Sequence, residues 1–225
     1  MFKIVFLIIK LIWQNLIEII FPCFCINCGK RNTLLCCNCY EQIEFFPFNF
    51  DASKQMNFID EVIIVCKYRG VVKKLIHDFK YKSVIGIGDI IAKLIYRSVN
   101  IPECDFLVPI PIHKNKKSKR GFNQSEEMIK SLSKLTNIPY KNLLIKQKNT
   151  KSQMSIRTKE ERKINLKDSF TINYKLLEEI GVNEVGKTVM LVDDVLTTGS
   201  TLDECAKILK ANGIKKVIGL ALAQR

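Results

Sequence analysis

Six of the nine cysteines fall between residues 23 and 39, and four of them form two C-x-x-C pairs, Cys25-Ile26-Asn27-Cys28 and Cys36-Cys37-Asn38-Cys39, separated by seven residues. Two such pairs on tight turns supply the four soft ligands of tetrahedral zinc, and Gly29 eases the first turn. Cys23 and Cys37 are alternative members of the set, since either is near enough to replace a neighbour. The odd total and the clustering argue against a secreted disulfide framework, and a pair of redox dithiols lacks the strand-helix setting such motifs use. Structural zinc (Zn2+) in a reducing, cytoplasmic compartment is the expectation. Cys66, Cys104 and Cys205 are scattered and are expected as buried small apolar residues.

The second constellation is Val192-Asp193-Asp194-Val195-Leu196-Thr197-Thr198-Gly199-Ser200-Thr201. An apolar run from residue 188 ends in two carboxylates, after which Gly199 and Thr201 open a helix. This places Thr197, Thr198, Gly199, Ser200 and Thr201 where a strand's carboxyl end meets a helix amino terminus, whose free N-H groups and dipole favour a phosphate. The hydroxyls add donors, and glycine lets the backbone approach closely. Asp193 and Asp194 repel each other and any anion, so they suit sugar hydroxyls or a divalent cation.

Those residues need a scaffold. From residue 61 onward short apolar strands, expected at 62–66, 106–109, 188–193 and 216–222, alternate with amphipathic helices at 71–79, 87–98, 124–135 and 201–211, the last capped by Gly213. That is the pattern of a parallel sheet wrapped by helices, in a chain of 225 residues long enough for one well-cored domain and a small appendage. The division expected is 1–50, an apolar helix plus the cysteine knuckle, and 51–225, the sheet domain. Lys3, Lys10 and Glu18 interrupt the apolar segment 1–21 and no small-residue cleavage site follows it, which favours a packed or interfacial helix over a span; peripheral membrane contact is the alternative.

The net charge is +14, and residues 113–167 hold sixteen Lys and Arg against four acids, so +12 of it lies in one stretch. A local surplus of that size points to an anionic partner, while a composition of 47% apolar and 26% charged residues excludes wholesale disorder and a multi-span membrane protein. Within it, 141–167 is a polar insertion inside the sheet domain, expected as a functional loop or lid.

Val189 to Thr201, VMLVDDVLTTGST, resembles the phosphoribosyl-pyrophosphate motif of type I phosphoribosyltransferases. The resemblance implies a mainly parallel five-stranded sheet with the ligand at its carboxyl edge, Asp193 and Asp194 on the ribose hydroxyls, residues 197–201 on the 5-phosphate, and magnesium (Mg2+) accompanying the pyrophosphate. A second loop should grip that pyrophosphate, and Pro109-Ile110-Pro111-Ile112-His113, followed by Lys114, Lys116, Lys117, Lys119 and Arg120, is the candidate. For His113 a local hydrogen bond is as good a reading as a ligand role.

The knuckle in front of this domain narrows the resemblance to the ComF/ComFC family. Lys67-Tyr68-Arg69-Gly70, the block Arg120-Gly121-Phe122-Asn123-Gln124, Thr150 with Gln153, Arg162 with Asn165, and Asp168 with Phe170 fit that pattern as well. Membership implies binding of phosphoribosyl pyrophosphate and single-stranded DNA, contact with DNA-uptake proteins, and a part in natural transformation. Phe122, Tyr140 or the aromatics at 45–50 would stack bases. Nucleobase salvage is the rival reading. The acid that the 6-oxopurine branch places at position 197 is replaced by Thr197, which disfavours only that branch. No general base stands out, so the acceptor of any transfer stays open, and a non-catalytic sensor of the ligand is a third reading.

Overall fold

A computed structural model describes residues 22–47, 56–82, 86–150, 166, 168–176 and 186–225. The apolar segment 1–21, Phe48, Phe50, Gln153, Arg162, Asn165 and most of the insertion lie outside them.

The longest strands are the two most apolar ones. β5 (Thr188–Leu196) and β6 (Lys216–Gln224) pair in parallel, with β1 (Glu61–Lys67) on the far side of β6 and β2 (Phe106–Pro109) on the far side of β5. Every residue of β6 from Val217 to Ala223 is buried, as in a central parallel strand covered on both faces. The period of two sorts the core into halves. Met190, Val192, Ile218, Leu220 and Leu222 meet α2 (Gly70–Tyr81), α3 (Ile87–Ser98) and α5 (Gln124–Thr136). Val189, Leu191, Val217 and Ala221 meet α6 (Ser200–Ala211) and a two-stranded antiparallel ribbon, β3 (Leu144–Lys146) with β4 (Phe170–Ile172). Gly219 makes the α6 contact possible, since a Cβ there would come within 3.1 Å of Leu202 Cδ1.

The fold class is the one expected, with two differences in detail. Among the described residues the sheet has four strands where five are expected; the outer edge of β2 carries a single parallel bridge, Leu107 to Tyr140, closed by the Leu107 N-H to the Pro139 carbonyl and the Lys141 N-H to the Leu107 carbonyl. β5 and β6 run past their expected ends because their pairing continues through Leu196 opposite Gln224, so the acid pair sits within a strand and not after it. On the other edge, residues 44–46 lie antiparallel to β1 through the Phe45–Cys66 bridge. They join the knuckle to the sheet, and Cys25, Cys36, Cys39 and Ile43 share one core with α2 and α3.

Two elements fix the site. The register aligns Pro109 with Val192, so the loop after β2 emerges beside Asp193. α2 starts at the carboxyl end of β1 and its last turn brings Lys80 against Asp194, so it crosses the carboxyl edge of the sheet. Among the described residues no helix is long and apolar enough to cross a membrane.

Candidate functional site

The knuckle closes through backbone bonds that the spacing dictates. The Gly29 N-H reaches the Cys25 carbonyl, with Gly29 at φ 77°, and Cys36 caps the short helix α1 (Cys37–Tyr40) that carries Cys39. The Sγ atoms of Cys25, Cys28, Cys36 and Cys39 all lie within 4.8 Å of one another, and those of Cys28 and Cys36 are 3.5 Å apart. Four Zn–S bonds of about 2.3 Å in a tetrahedron set sulfurs about 3.8 Å apart, so the cluster has the size of a tetrahedral thiolate site. Burial works against a Cys25 thiolate, but the N-H groups of Cys28, Cys36 and Asn27 bring its pKa down to about 6. The Asn27 amide donates to Cys39 Sγ at 3.3 Å and pulls Cys39 down, yet burial and the three other sulfurs raise it to about 12. Several thiolates so close together require a cation. Cys23 and Cys37 are exposed and outside the cluster. Cys66 and Cys205 are buried as expected, and Cys104 is half-buried.

At the carboxyl edge, Asp194 is buried and its Oδ2 lies 2.6 Å from Lys80 Nζ. Asp193 Oδ1 accepts from the Asp194 N-H at 2.8 Å and from Ser125 Oγ at 3.4 Å. Burial, and then the Asp194 charge, push Asp193 up to about 7. Burial works to lower Lys80, but the Asp194 and Asp193 carboxylates outweigh it and raise its pKa. Lys80, Lys116, Arg120 and Lys146 line the same cavity of about 140 Å³ as Asp193 and Asp194. Burial and Arg120 lower Lys116, while burial and Lys116 lower Lys146 to about 8. A bound polyanion relieves that crowding.

The block 120–124 positions the walls. Gly121, at φ 83°, ends α4 (Lys114–Arg120), and Phe122 packs on Phe79 with ring centres 5.6 Å apart. The Asn123 amide donates to the Ile110 carbonyl at 3.0 Å while its Oδ1 caps α5 by accepting from the Ser125 N-H. Arg120 donates to Gln124 Oε1 at 3.0 Å, which leaves the buried Gln124 Nε2 in the cavity wall without a partner among the described residues. A buried donor in that position awaits an acceptor.

The turn expected to hold the 5-phosphate joins β5 to α6. Gly199, at φ 76°, is the N-cap of α6, and the Thr198 and Ser200 hydroxyls bond each other at 2.9 Å. The first-turn N-H groups of α6 are free of helical partners, as at any helix start. Met56 lies against Gly199 where no Cβ fits, and Asp203 Oδ1 holds the Asn57 and Phe58 N-H groups at 2.8 and 2.7 Å. Val195 and Leu196 continue β5, with Leu196 buried.

Of the residues expected on the pyrophosphate side, Pro111 and Arg120 line the acid-pair cavity. His113 and Lys117 line instead a neighbouring cavity of about 580 Å³ that shares Pro111, Ile112, Asn123 and Lys146 with it. There His113 Nδ1 caps α4 by accepting from the Asn115 N-H at 3.2 Å, and Lys117 pairs with Glu126 at 3.3 Å. Among the expected stacking aromatics, Phe45, Phe46 and Phe122 pack against the core, and Tyr140 is 37% exposed. Lys80 and Ser125 carry no signal in the sequence, whereas Lys146 belongs to the basic insertion and Gln124 to the block 120–124. Nothing separates Lys80 there from a solvated lysine ending an amphipathic helix.

Residues 117–225 match the family model described as phosphoribosyl transferase domain. Competence protein F of Haemophilus influenzae is 29% identical over 89% of this chain and 96% of its own length. DNA utilization protein YhgH of Escherichia coli is 27% identical over 69% of this chain and 68% of its own length. Competence protein ComFC of Bacillus subtilis is 31% identical over 48% of this chain and 39% of its own length. A parallel sheet flanked by helices, with an acid pair and a Thr/Ser/Gly turn at its carboxyl edge, is a type I phosphoribosyltransferase domain. With the cysteine cluster in front of that domain, the chain resembles Competence protein F over most of its length and Competence protein ComFC over about half of it.

Proposed function

We propose that the chain binds phosphoribosyl pyrophosphate with magnesium and contacts single-stranded DNA, serving DNA uptake and natural transformation. The observation that carries the reading is the acid-pair cavity, where four cations crowd two carboxylates beside Gln124 and Ser125, the first residues of α5. In this reading the 5-phosphate takes the free N-H groups and hydroxyls of residues 197–201, the ribose diol donates to Asp193 and Asp194, and Lys116, Arg120 and Lys146 meet the pyrophosphate. Lys80 already neutralises Asp194, so the acid pair accepts a sugar without burying two bare charges. Magnesium, when bound, offsets the remaining pyrophosphate charge. The competence and DNA-utilization names of the relatives support a part in DNA uptake. The knuckle is assigned to structural zinc, and the thiols to a reducing cytoplasm.

Two measurements test the reading. Purified protein should retain a single-stranded oligonucleotide at low salt, with an affinity that falls steeply as salt is added. A deletion strain should transform poorly. Failure of both removes the DNA assignment. Pyrophosphate release with one free base and no other acceptor would establish nucleobase salvage in its place.

A further inference from the structure

A third cavity, of about 510 Å³, opens between the end of α2 and α4. Lys80, Lys116 and Arg120 line both it and the acid-pair cavity, so the two are adjoining rooms with a shared cationic wall. Lys119 adds a fourth cation, Asn115 and Asn149 add amide groups, and no acid among the described residues lines it. The neighbouring cavity differs, since there Glu126 already holds Lys117.

The remaining wall is Tyr81. It is 64% exposed, the most exposed large hydrophobic side chain among the described residues. Its ring is held by neighbours without being covered: the Arg120 guanidinium lies 5.5 Å from its centre, and the His77 ring packs at 5.0 Å and a tilt of 47°. An exposed aromatic beside three cations, Lys116, Lys119 and Arg120, that have no acidic partner among the described residues, together with two amides, is the set of groups that takes a planar base, its edge and the phosphate attached to it.

We infer that this cleft is a nucleotide subsite in which Tyr81 stacks a base, Asn115 and Asn149 meet its edge, and Lys119 with Arg120 holds its phosphate. The inference rests on the nucleic-acid reading above and gives it a place: the nucleotide sits beside the phosphoribosyl ligand and shares Lys80, Lys116 and Arg120 with it. The chemistry is that of one nucleotide unit, either free or within a strand.

The test uses the full chain with a fluorescent oligothymidylate at low salt, and phosphoribosyl pyrophosphate with magnesium as a second ligand. Tyr81→Ala should weaken the oligonucleotide roughly 5- to 100-fold, the worth of one stacked base, and Tyr81→Phe should stay near wild type. Phosphoribosyl pyrophosphate should bind Tyr81→Ala as it binds wild type, which also shows that the variant is folded. Thymidine monophosphate that displaces the probe from wild type as well as a strand does assigns the cleft to free nucleotides; displacement that needs a strand assigns it to polynucleotide. A 5-iodouracil oligonucleotide should photo-crosslink to Tyr81. Oligonucleotide binding by Tyr81→Ala equal to wild type, or an equal loss in Tyr81→Phe, overturns the subsite while leaving the broader reading intact. If wild type binds neither strand nor monophosphate, the broader reading falls and takes the subsite with it.

Discussion

The cysteine knuckle and the carboxyl edge both gather groups that repel one another, and they do so on opposite terms. In the knuckle four sulfurs converge on backbone-bonded turns, with Cys25, Cys36 and Cys39 buried, and one cation would resolve the whole conflict. At the carboxyl edge the conflict is only partly resolved from within. Lys80 satisfies Asp194, but Asp193 is pushed up to about 7, Lys146 is pushed down to about 8, and Gln124 Nε2 is buried without a partner among the described residues. The first arrangement is what a permanent ligand leaves. The second is what a site keeps for a ligand that comes and goes, since groups satisfied in advance gain nothing when it binds.

That contrast breaks most visibly at the knuckle. Removing the metal with a chelator, or replacing Cys39 by Ser, should abolish zinc retention and lower the melting temperature by roughly 10 °C or more, because the cluster shares a core with α2 and α3. One zinc per chain by mass spectrometry is the expected wild-type result. An undisturbed fold after complete metal removal would make the knuckle dispensable.

Next in size is Lys80→Ala, which strands the buried Asp194 carboxylate and should cost about 3 kcal/mol. Lys80→Met with Asp194→Asn should recover much of that stability in denaturant titrations and none of the ligand binding. Equal destabilisation by the single and double variants would mean that the ion pair is not what matters.

The third effect depends on pH. Ionised Asp193 is the stronger acceptor for a ribose diol and the form that attracts magnesium, so affinity should rise up to about tenfold from pH 6 to pH 8 as its carboxyl loses its proton near 7. Stability runs the other way. A carboxyl whose pKa is raised on folding favours the native state while protonated, and that contribution is lost from its unfolded value near 4 up to about 7. Asp193→Asn should therefore raise the melting temperature at pH 8 by a few degrees while weakening the ligand. A variant less stable than wild type at that pH contradicts the picture.

The smallest effects are expected at Cys23 and Cys37, exposed and outside the cluster. Their serine variants should keep full zinc content and stay within about 0.5 kcal/mol of wild type.

Much of this was legible in the amino-acid order, where long runs average out local ambiguity. The four long helices and the sheet strands were placed to within a few residues, because their apolar periods are sustained and caps such as Gly213 mark an end. α4 was not legible. None of its residues is buried, so a helix of seven residues looks like a charged loop. β3 and β4 are three residues each, too short for alternation to register, and only their pairing across the insertion defines them. The residues of the candidate site divide in the same way. Asp193, Asp194 and the Thr/Ser/Gly turn are contiguous and announce themselves, whereas Lys80 and Lys146 reach the cavity from α2 and the ribbon, and only tertiary structure brings them there.

The most direct measurement is calorimetric titration of phosphoribosyl pyrophosphate with magnesium into wild type and into the Asp193→Asn, Asp194→Asn double variant, with circular dichroism confirming the fold of each. Saturable binding to wild type and a loss of at least about 100-fold in the variant are expected, each carboxylate having lost its charge and one of its two acceptor oxygens. Equal affinity in the two proteins would contradict the assignment.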